Sequence, residues 1–203
     1  MASVQPEGTG KERILSAAIE LFGARGVDAV SMRDIAARAE VSPALLVHHF
    51  GSKAGLRDAA DAEVMALLAA NRAAMATSIE SIAHGGTDRL GYAALMNVIA
   101  KPTLAAYVRR ILVDGGPAAS ALLTAGVTQA TELQHELIDA GIARPTEDVE
   151  TRAAMLIANP LMLLILREQF TAALGYDPLT PEGLPRWLET LQELVTRGIF
   201  TTP

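Results

Sequence analysis

The sequence predicts an all-α fold, in which a small N-terminal unit of three helices with a helix-turn-helix precedes a larger helical domain. Half of the 203 residues are hydrophobic but only 4% are aromatic, and alanine and leucine are abundant while runs of β-branched residues are scarce. Apolar residues recur at helical spacing over most of the chain, and no alternating pattern indicates a strand. We therefore expect about nine helices and no sheet.

The first predicted helix runs from Lys11 to Arg25 and ends at Gly26. Its apolar residues keep a helical period, and glycine is the residue most often found just beyond a helix end. The residues before it are polar and rich in glycine, which predicts a disordered N-terminal arm over residues 1–10. The apolar stripe of this helix would pack behind the next two helices and set their orientation.

Two short helices joined by a tight turn follow. Ser31 is placed as an N-cap before a helix that begins at about Met32, with Asp34 where a capping-box acid reaches back. Ser42 caps the second helix, and Pro43 stands in its first turn, where a missing N–H leaves no hydrogen bond unmade. Such a pair is a helix-turn-helix, and its second helix has the size to enter a DNA major groove.

The remaining helices are mostly longer and more apolar. Ser52 caps a helix that can connect two domains rigidly, and Pro160 is expected to kink a later helix. The predicted helices are Lys53 to Ile82, Leu90 to Ala100, Thr103 to Val113, Ala118 to Ala140, Glu147 to Leu174 and Leu184 to Ile199. The predicted domains are the arm over residues 1–10, a head over residues 11–53 and a body over residues 54–203.

Charge is distributed unevenly along the chain. The net charge is −6, yet residues 1–58 hold seven Lys or Arg against seven Asp or Glu, so the acidic excess lies in the rest. A neutral head cannot hold DNA by a general positive field, so phosphate binding must rest on a few placed groups and helix N-termini. The lack of cysteine excludes disulfides and fits a reducing cytoplasm. No signal peptide and no membrane partner are expected, because no apolar run is long enough to span a bilayer.

Several residues in and beside the helix-turn-helix stand at fixed spacing. They are Ile35, Ala36, Val41, Ser42, Leu46, His49, Phe50, Ser52, Lys53 and Leu56. In this order and register they resemble the DNA-binding domain of TetR-family transcriptional regulators, and the resemblance covers roughly Lys11 to Asp58. It implies a homodimeric repressor that leaves a palindromic operator in double-stranded DNA when a small hydrophobic effector binds. Neither a cofactor nor an enzymatic activity is expected.

Val47 departs from the resembled family, which usually has an aromatic residue, often tyrosine, at this place. A hydroxyl that positions the DNA backbone is thereby lost. With the neutral head and the apolar body, this keeps a second interpretation open, a helical protein that binds small molecules or lipids and whose DNA-binding head is weakened. No catalytic site is predicted. Glu132, His135, Glu136 and Asp139 have metal-compatible spacing, but such mixed charges usually form a solvated face, so no metal site is predicted either.

Nine residues are candidates for DNA contact: Ser31, Arg33, Ser42, Pro43, Ala44, Leu45, His48, His49 and Lys53. Arg33 lies in the first turn of its helix and is suited to a bidentate contact with guanine, although an ordinary surface arginine is the alternative. The three residues after Ser42 can offer only apolar contact to thymine methyl groups. The resemblance assigns the histidines and the lysine to phosphates, while a packed position between helices is an equal alternative for His49.

The body is predicted to hold a mainly apolar effector cavity and the dimer interface. Methionines repack around varied ligands, although ordinary core is the commoner meaning of such spacing. The candidate pocket residues are Met65, Leu68, Arg72, Met75, Tyr92, Met96, Tyr107, Arg110, Met155 and Met162. The resembled family commonly pairs its last two long helices across a two-fold axis, which assigns Leu163 and Leu191 to the dimer interface.

Overall fold

A computed structural model describes the backbone of residues 9–83 and 101–197 and the side chains of residues 9–72 and 101–194. Within these ranges the chain forms nine helices and no strand, which confirms the all-α prediction. The helices are α1 (Gly10–Arg25), α2 (Met32–Arg38), α3 (Pro43–Phe50), α4 (Lys53–Ala83), α5 (Pro102–Asp114), α6 (Gly116–Asp139), α7 (Val149–Ile165), α8 (Arg167–Leu174) and α9 (Gly183–Arg197). The predicted helix Leu90 to Ala100 and residues 1–8 of the predicted arm lie outside the described residues.

The helices of the head begin at side-chain caps. The Ser31 hydroxyl accepts a hydrogen bond from the Asp34 N–H at 3.1 Å, while the Asp34 carboxylate accepts one from the Ser31 N–H at 2.9 Å, which is the predicted capping box. The Ser42 hydroxyl accepts a hydrogen bond from the Leu45 N–H at 3.2 Å and begins α3. Ser52 makes the same kind of bond at the start of α4, at 3.1 Å. Each cap satisfies an amide that helix geometry leaves unpaired, so these predicted helix starts are confirmed.

The turn between α2 and α3 depends on Glu40. This residue has a φ of 55°, in the left-handed region that glycine occupies most readily. The Val41 N–H donates to the Ala36 carbonyl at 3.0 Å and the Glu40 N–H donates to the Ala37 carbonyl at 3.2 Å, so α2 ends in a Schellman motif. This compact ending allows Ser42 to begin α3 almost at once.

One continuous hydrophobic core joins the head to the body. Its members include Ile14, Phe22, Ile35, Leu46 and Leu56 from the head side and Tyr107, Val108 and Leu163 from the body. Helix α4 crosses the predicted boundary at residue 54, and Ala60 and Val64 extend the core along it. The two parts are therefore packed together and not joined by an exposed linker.

The head is attached to the body where α1 lies on α5. Gly23 of α1 has no side chain, and a Cβ atom placed there would lie 2.9 Å from the Tyr107 amide nitrogen. The rings of Phe22 and Tyr107 lie side by side with centroids 6.2 Å apart. The Tyr107 hydroxyl donates to Asp61 Oδ1 of α4 at 2.7 Å. Burial raises the pKa of Tyr107 well above its usual value, and the contact with Asp61 adds to this rise. Helices α1, α4 and α5 thus meet at Tyr107, which is uncharged.

The long helix predicted over Glu147 to Leu174 is two helices, α7 and α8. Pro160 lies inside α7 without ending it, and the sharp change of direction comes at Leu166, where the two helices meet at 83°. A proline removes one main-chain hydrogen bond, which the rest of α7 tolerates here. Arg167 at the start of α8 pairs with Asp177 beyond its end at 2.7 Å, which ties the following loop back to the start of α8.

The connection from α5 to α6 is also sharply bent. The two helices meet at 112°, and both Gly115 and Gly116 have positive φ at the junction. No single helix among the described residues is long and apolar enough to cross a membrane, and only the bent pairs, α5 with α6 and α7 with α8, reach that length and composition when each pair is counted together.

Candidate nucleic-acid interface

The second helix of the helix-turn-helix, α3, separates its side chains into a buried and an exposed set. Leu46 is fully buried. Leu45 is half-buried against the core, and its Cδ2 atom lies 3.2 Å from the position of a Cβ built on Gly10. The exposed residues are Pro43, Ala44, Val47, His48 and His49. Leu45 was expected to offer apolar contact to thymine methyl groups, but only part of its side chain is exposed because the residue packs toward the start of α1.

The exposed face of α3 contains both histidines. Their rings lie 5.3 Å apart at an angle of 63°. The His49 ring also lies 6.3 Å from the ring of Phe50, which is itself half-buried. Because His49 is exposed, it is not packed between helices, and the phosphate contact is the alternative that its position favours.

Arg33 is exposed in the first turn of α2. Within the part of the chain that the structure describes, its guanidinium group makes no hydrogen bond or ion pair. Two other arginines of the head differ, since Arg25 lies 3.8 Å from Asp34 and Arg38 pairs with Glu20 at 2.7 Å. Arg33 is therefore available to a partner outside the chain, as a contact with a base or a phosphate requires.

Ser31 and Ser42 both act as helix caps. The Ser31 hydroxyl also donates to Asp34 Oδ2 at 2.8 Å, so it both donates and accepts within the capping box. The hydrogen bond from the Ser31 N–H lowers the pKa of Asp34, which keeps this carboxylate charged and the cap intact. The two serines orient α2 and α3, and their direct contact with DNA stays a prediction.

Lys53 begins α4 and is half-buried. Its Nζ atom donates to the main-chain carbonyl of Asp28 at 3.3 Å, which ties α4 to the loop after α1. An ammonium group has three protons, so this single bond leaves donors for a phosphate oxygen. The phosphate contact of Lys53 also stays a prediction.

The body contains a small, mainly apolar cavity among α4, α5 and α6. Its volume is about 90 Å³, and its wall includes Asp61, Val64, Met65, Ile111, Ala118, Ala121 and Leu122. Among these described lining residues, Asp61 is the charged one; it accepts a hydrogen bond from the Tyr107 hydroxyl at the junction of head and body and lies 3.8 Å from Arg57 Nε. An occupant of this cavity would therefore touch the residue that connects α4 to α5.

A wider groove of about 500 Å³ runs along α6 and reaches the start of α7. It is lined by Leu123, Thr124, Val127, Thr128, Thr131, Glu132, His135 and Glu150. None of the predicted pocket residues is among these, and hydroxyl and acidic groups interrupt its apolar surface. The wall of the smaller cavity is the more apolar of the two.

Of the described pocket candidates, only Met65 lines the cavity, and four of the others lie well away from it. Tyr107 is only 1% exposed and belongs to the core of the junction. Arg110 lies beside Gly26 and donates to Asp114 at 2.8 Å. Met155 and Met162 are 71% and 47% exposed on α7. Spacing along a helix does not reveal which of its faces a neighbour covers, so these four residues lie away from this cavity and their contact with an effector stays a prediction.

The other candidate pocket residues differ in their surroundings. Met65 lines the cavity. Leu68 is half-buried against the core, and Arg72 forms an ion pair with Glu136, which links α4 to α6. The side chain of Met75 and the whole of Tyr92 and Met96 lie outside the described residues.

The two residues predicted at the dimer interface, Leu163 and Leu191, differ in how deeply they are buried. Leu163 is fully buried within the single chain, so its assignment to the interface is wrong. Leu191 is half-buried on α9. On α7 and α9, the large apolar side chains that are exposed are Met155, Met162, Leu166 at the end of α7 and Leu194.

Two residues of the junction, Gly23 and Asp61, were not predicted from the sequence. For Gly23 a signal was present, because a glycine inside an apolar helix often marks the close approach of another main chain. For Asp61 there was none, because an acidic residue on a long helix is usually a solvated one.

Comparison with known proteins gives consistent matches over both parts of the chain. Residues 14–60 match the family model "Bacterial regulatory proteins, tetR family", and residues 100–201 match "Tetracyclin repressor-like, C-terminal domain". The HTH-type transcriptional regulatory protein RaaS of Mycobacterium tuberculosis is 37% identical over 148 residues, which are 73% of this chain and 66% of that relative, so the chain spans about two thirds of its length.

A second relative and a solved structure extend these matches. The HTH-type transcriptional repressor Rv3405c of the same species is 32% identical over 184 residues, which are 87% of this chain and 85% of that protein. The structure of FadR from Thermus thermophilus, a repressor in complex with lauroyl-CoA, has a TM-score of 0.56 at 22% identity and covers 95% of this chain and 96% of that one. The solved structure supports the fold, and the relatives support the family.

A helix-turn-helix with an exposed second helix, packed on an all-helical body, defines the class of helix-turn-helix DNA-binding proteins. The two family models together match most of the chain, and it therefore belongs to the TetR family of bacterial regulatory proteins. The chain is a transcriptional regulator of that family.

Proposed function

We propose that this regulator is a homodimeric repressor that binds a palindromic operator in double-stranded DNA and leaves it when a small hydrophobic effector occupies the body. The observation that carries this proposal is the exposed Arg33, without a partner among the described residues, on the helix before the exposed face of α3. The relative Rv3405c is itself named a repressor, which supports this direction of control. Such a protein would act in the cytoplasm, where bacterial DNA is found.

The DNA contacts divide into one base contact and a few phosphate contacts. Arg33 supplies a bidentate contact with guanine, and His48, His49 and Lys53 contact phosphates. Because residues 1–58 carry no net charge, the number of phosphate contacts is small. We expect a shallow dependence of operator affinity on salt concentration for this reason.

Dimerisation matches two heads to the two halves of a palindromic site. The α7 residues Met155 and Met162 lie seven positions apart in the sequence and so on the same side of the helix, and both are exposed. Contiguous exposed apolar surface of this kind is typical of protein interfaces. We assign the interface to α7 and α9, with these methionines, Leu191 and Leu194 at the contact.

The effector acts through the cavity beside Asp61, which at about 90 Å³ must widen to hold a ligand of ordinary size. An occupant that displaces Asp61 also displaces the Tyr107 hydroxyl, and Tyr107 lies directly on Gly23 of the head. FadR of Thermus thermophilus was solved with lauroyl-CoA, which makes a fatty acyl compound a reasonable first probe. An effector releases DNA only by binding the DNA-incompetent state more tightly, with a coupling of roughly 1–3 kcal/mol.

The DNA-binding proposal is tested by fluorescence anisotropy with the DNA upstream of the protein's own gene. Arg33→Ala should weaken specific binding by roughly 1–3 kcal/mol, because it removes a base contact without exposing core. Arg109→Ala removes an exposed arginine from α5 of the body and should leave the affinity unchanged. Lys53→Ala should weaken binding to all sequences alike and lower the salt slope by about one unit. If the parent protein binds no DNA, the helical small-molecule or lipid binder becomes the better account.

The dimer is tested by sedimentation. We expect Met155→Glu and Met162→Glu together, or Leu191→Glu alone, to give monomers, because each places charge in an apolar interface. Leu123→Glu changes an exposed leucine on α6 and serves as the matched control, which should remain dimeric. Intact dimers for every variant would locate the interface elsewhere.

The effector is tested by measuring operator affinity with and without lauroyl-CoA. Thermodynamic linkage requires that a compound which weakens operator binding must itself bind less tightly when operator is present. A Met65→Ala variant should change the affinity for such a compound, since Met65 lines the cavity. Binding of lauroyl-CoA to the body with no effect on operator affinity would mean that this compound is not the effector.

A further inference from the structure

The exposed face of α3 carries an apolar side chain that folding does not explain. Val47 is 52% exposed, whereas the larger apolar residues of the same helix, Leu46 and Phe50, are buried or half-buried. Since burial is what makes an apolar side chain stabilising, Val47 contributes little to the stability of the folded chain. Its side chain is therefore available for contact with a partner outside the chain.

Val47 belongs to a stripe on the outside of α3. Ala44 precedes it by three positions and His48 follows it, and all three residues are exposed. Residues three and four positions apart lie on one side of a helix, so Ala44, Val47 and His48 form a single surface. Leu45, which the sequence suggested for this surface, packs inward instead. The apolar part of the stripe is therefore Ala44 and Val47.

The chemistry of this stripe selects one feature of DNA. In the major groove each base pair presents hydrogen-bonding groups, and thymine alone presents a methyl group. Neither alanine nor valine can donate or accept a hydrogen bond through its side chain, so neither can recognise guanine, cytosine or adenine directly. Contact with a thymine methyl group is the sequence-specific contact that remains for them.

We propose that Val47, supported by Ala44, is a specificity-determining residue that contacts the C5-methyl group of a thymine in each operator half-site. This inference rests on the proposed DNA binding. The position at which the family usually has a tyrosine would then have exchanged a contact with the DNA backbone for a contact with a base. Arg33 and Val47 together would read a guanine and a thymine in each half-site.

The test replaces the thymines of the bound operator one at a time by deoxyuridine, which removes only the methyl group. We expect one such position in each half-site to lower the affinity of the parent protein about fourfold, the effect of losing the burial of one methyl-sized group. Val47→Ala should bind the unmodified operator more weakly by about the same factor, and deoxyuridine at that position should then have no further effect. Affinity is measured by fluorescence anisotropy at fixed salt.

Two controls separate this effect from loss of structure. Val113→Ala truncates a valine of α5 that is 58% exposed, and it should retain the full response to deoxyuridine. Thermal unfolding followed by circular dichroism should give the same midpoint for Val47→Ala and the parent, because an exposed side chain makes few contacts to lose.

The outcomes distinguish this inference from the proposed function. If the parent binds its operator but responds to no deoxyuridine substitution, Val47 does not read a thymine and DNA binding itself stands. If the parent and Val47→Ala respond equally at every position, the methyl contact belongs to another residue and the inference is overturned. If the parent binds no DNA, both proposals are overturned together.

Discussion

The helices of the head and those of the body begin in different ways. In the head, α1, α2, α3 and α4 each begin at a hydroxyl side chain that accepts a hydrogen bond from the first turn, namely Thr9, Ser31, Ser42 and Ser52. In the body, α5, α6 and α8 begin without a side-chain cap, whereas α7 begins at Asp148 and the Thr180 hydroxyl accepts a hydrogen bond from the Gly183 N–H at the start of α9. The head is thus defined by local hydrogen bonds, whereas most of the body depends on packing between helices.

This difference matches the different tasks of the two parts. A DNA-reading surface must present its side chains at fixed positions, and a cap contributes about 1 kcal/mol toward holding a short helix in place. Helices α2 and α3 have only seven and eight residues, too few to be stable by themselves. The body helices α5, α6 and α7 have 13, 24 and 17 residues, so packing along a longer face can stabilise them with less help from caps.

The largest expected effect concerns the contact that joins the two parts. Gly23→Ala places a Cβ atom 2.9 Å from the Tyr107 amide nitrogen, so α1 and α5 must move apart, and we expect a loss of roughly 1–3 kcal/mol in the free energy of unfolding. Gly126→Ala is the matched control, since its Cβ would lie 3.8 Å from Ile157 and the change adds helix propensity. Urea unfolding of both variants measures the effect. Equal stability of the two variants would show that the α1–α5 contact is looser than described.

The next effect concerns the caps of the head. Ser31→Ala removes both hydroxyl hydrogen bonds of the capping box, and we expect a loss of about 0.5–2 kcal/mol in the free energy of unfolding. Ser120→Ala changes an exposed serine within α6 and should be neutral or slightly stabilising, because alanine has the higher helix propensity. The operator affinity of Ser31→Ala should fall as well, since α2 carries Arg33. A stable variant with normal affinity would contradict the dependence of the head on local capping.

A smaller effect of opposite sign is expected in the turn. Glu40 has a φ of 55°, and Glu40→Gly should relieve the left-handed strain and raise the free energy of unfolding by up to about 1 kcal/mol. Glu40→Ala keeps a Cβ atom and should give no such gain. Thermal unfolding of the two variants compares them directly, and a gain with alanine would point to the charge of Glu40 and not to its backbone.

The smallest effect is a dependence of stability on pH. The Ser31 N–H lowers the pKa of Asp34 in the head, and the Thr151 N–H lowers the pKa of Asp148 in the body, both below the usual value of 3.8. A carboxylate with a lowered pKa contributes stability that is fully present above its unfolded pKa and is lost as the pH falls through its folded pKa. Acid unfolding of Asp34→Asn should be less steep below pH 3.8 than that of the parent. An unchanged acid transition would mean that protonation of Asp34 does not contribute to acid unfolding.

Much of the head can be predicted from the sequence because its signals are local. The caps at Ser31, Ser42 and Ser52 lie within three residues of the amides that they bind, so they can be read from short stretches of sequence. That Arg33 has no partner among the described residues could not be derived in this way, and neither could the inward packing of Leu45. Both depend on how α1 lies against α2 and α3.

In the body, the sequence by itself determined that the chain is helical and where most helices lie, while only the tertiary structure decided which residues serve which surface. Leu163 was expected at an interface and is core, while Met155 was expected at a cavity and is exposed. Tyr107 was expected at the cavity and instead connects α5 to Asp61. Helical periodicity shows which apolar side chains share one face of a helix. Contacts between residues far apart in the chain decide which partner covers that face. The Tyr107–Asp61 bond spans 46 residues, and no local pattern encodes a contact of that length.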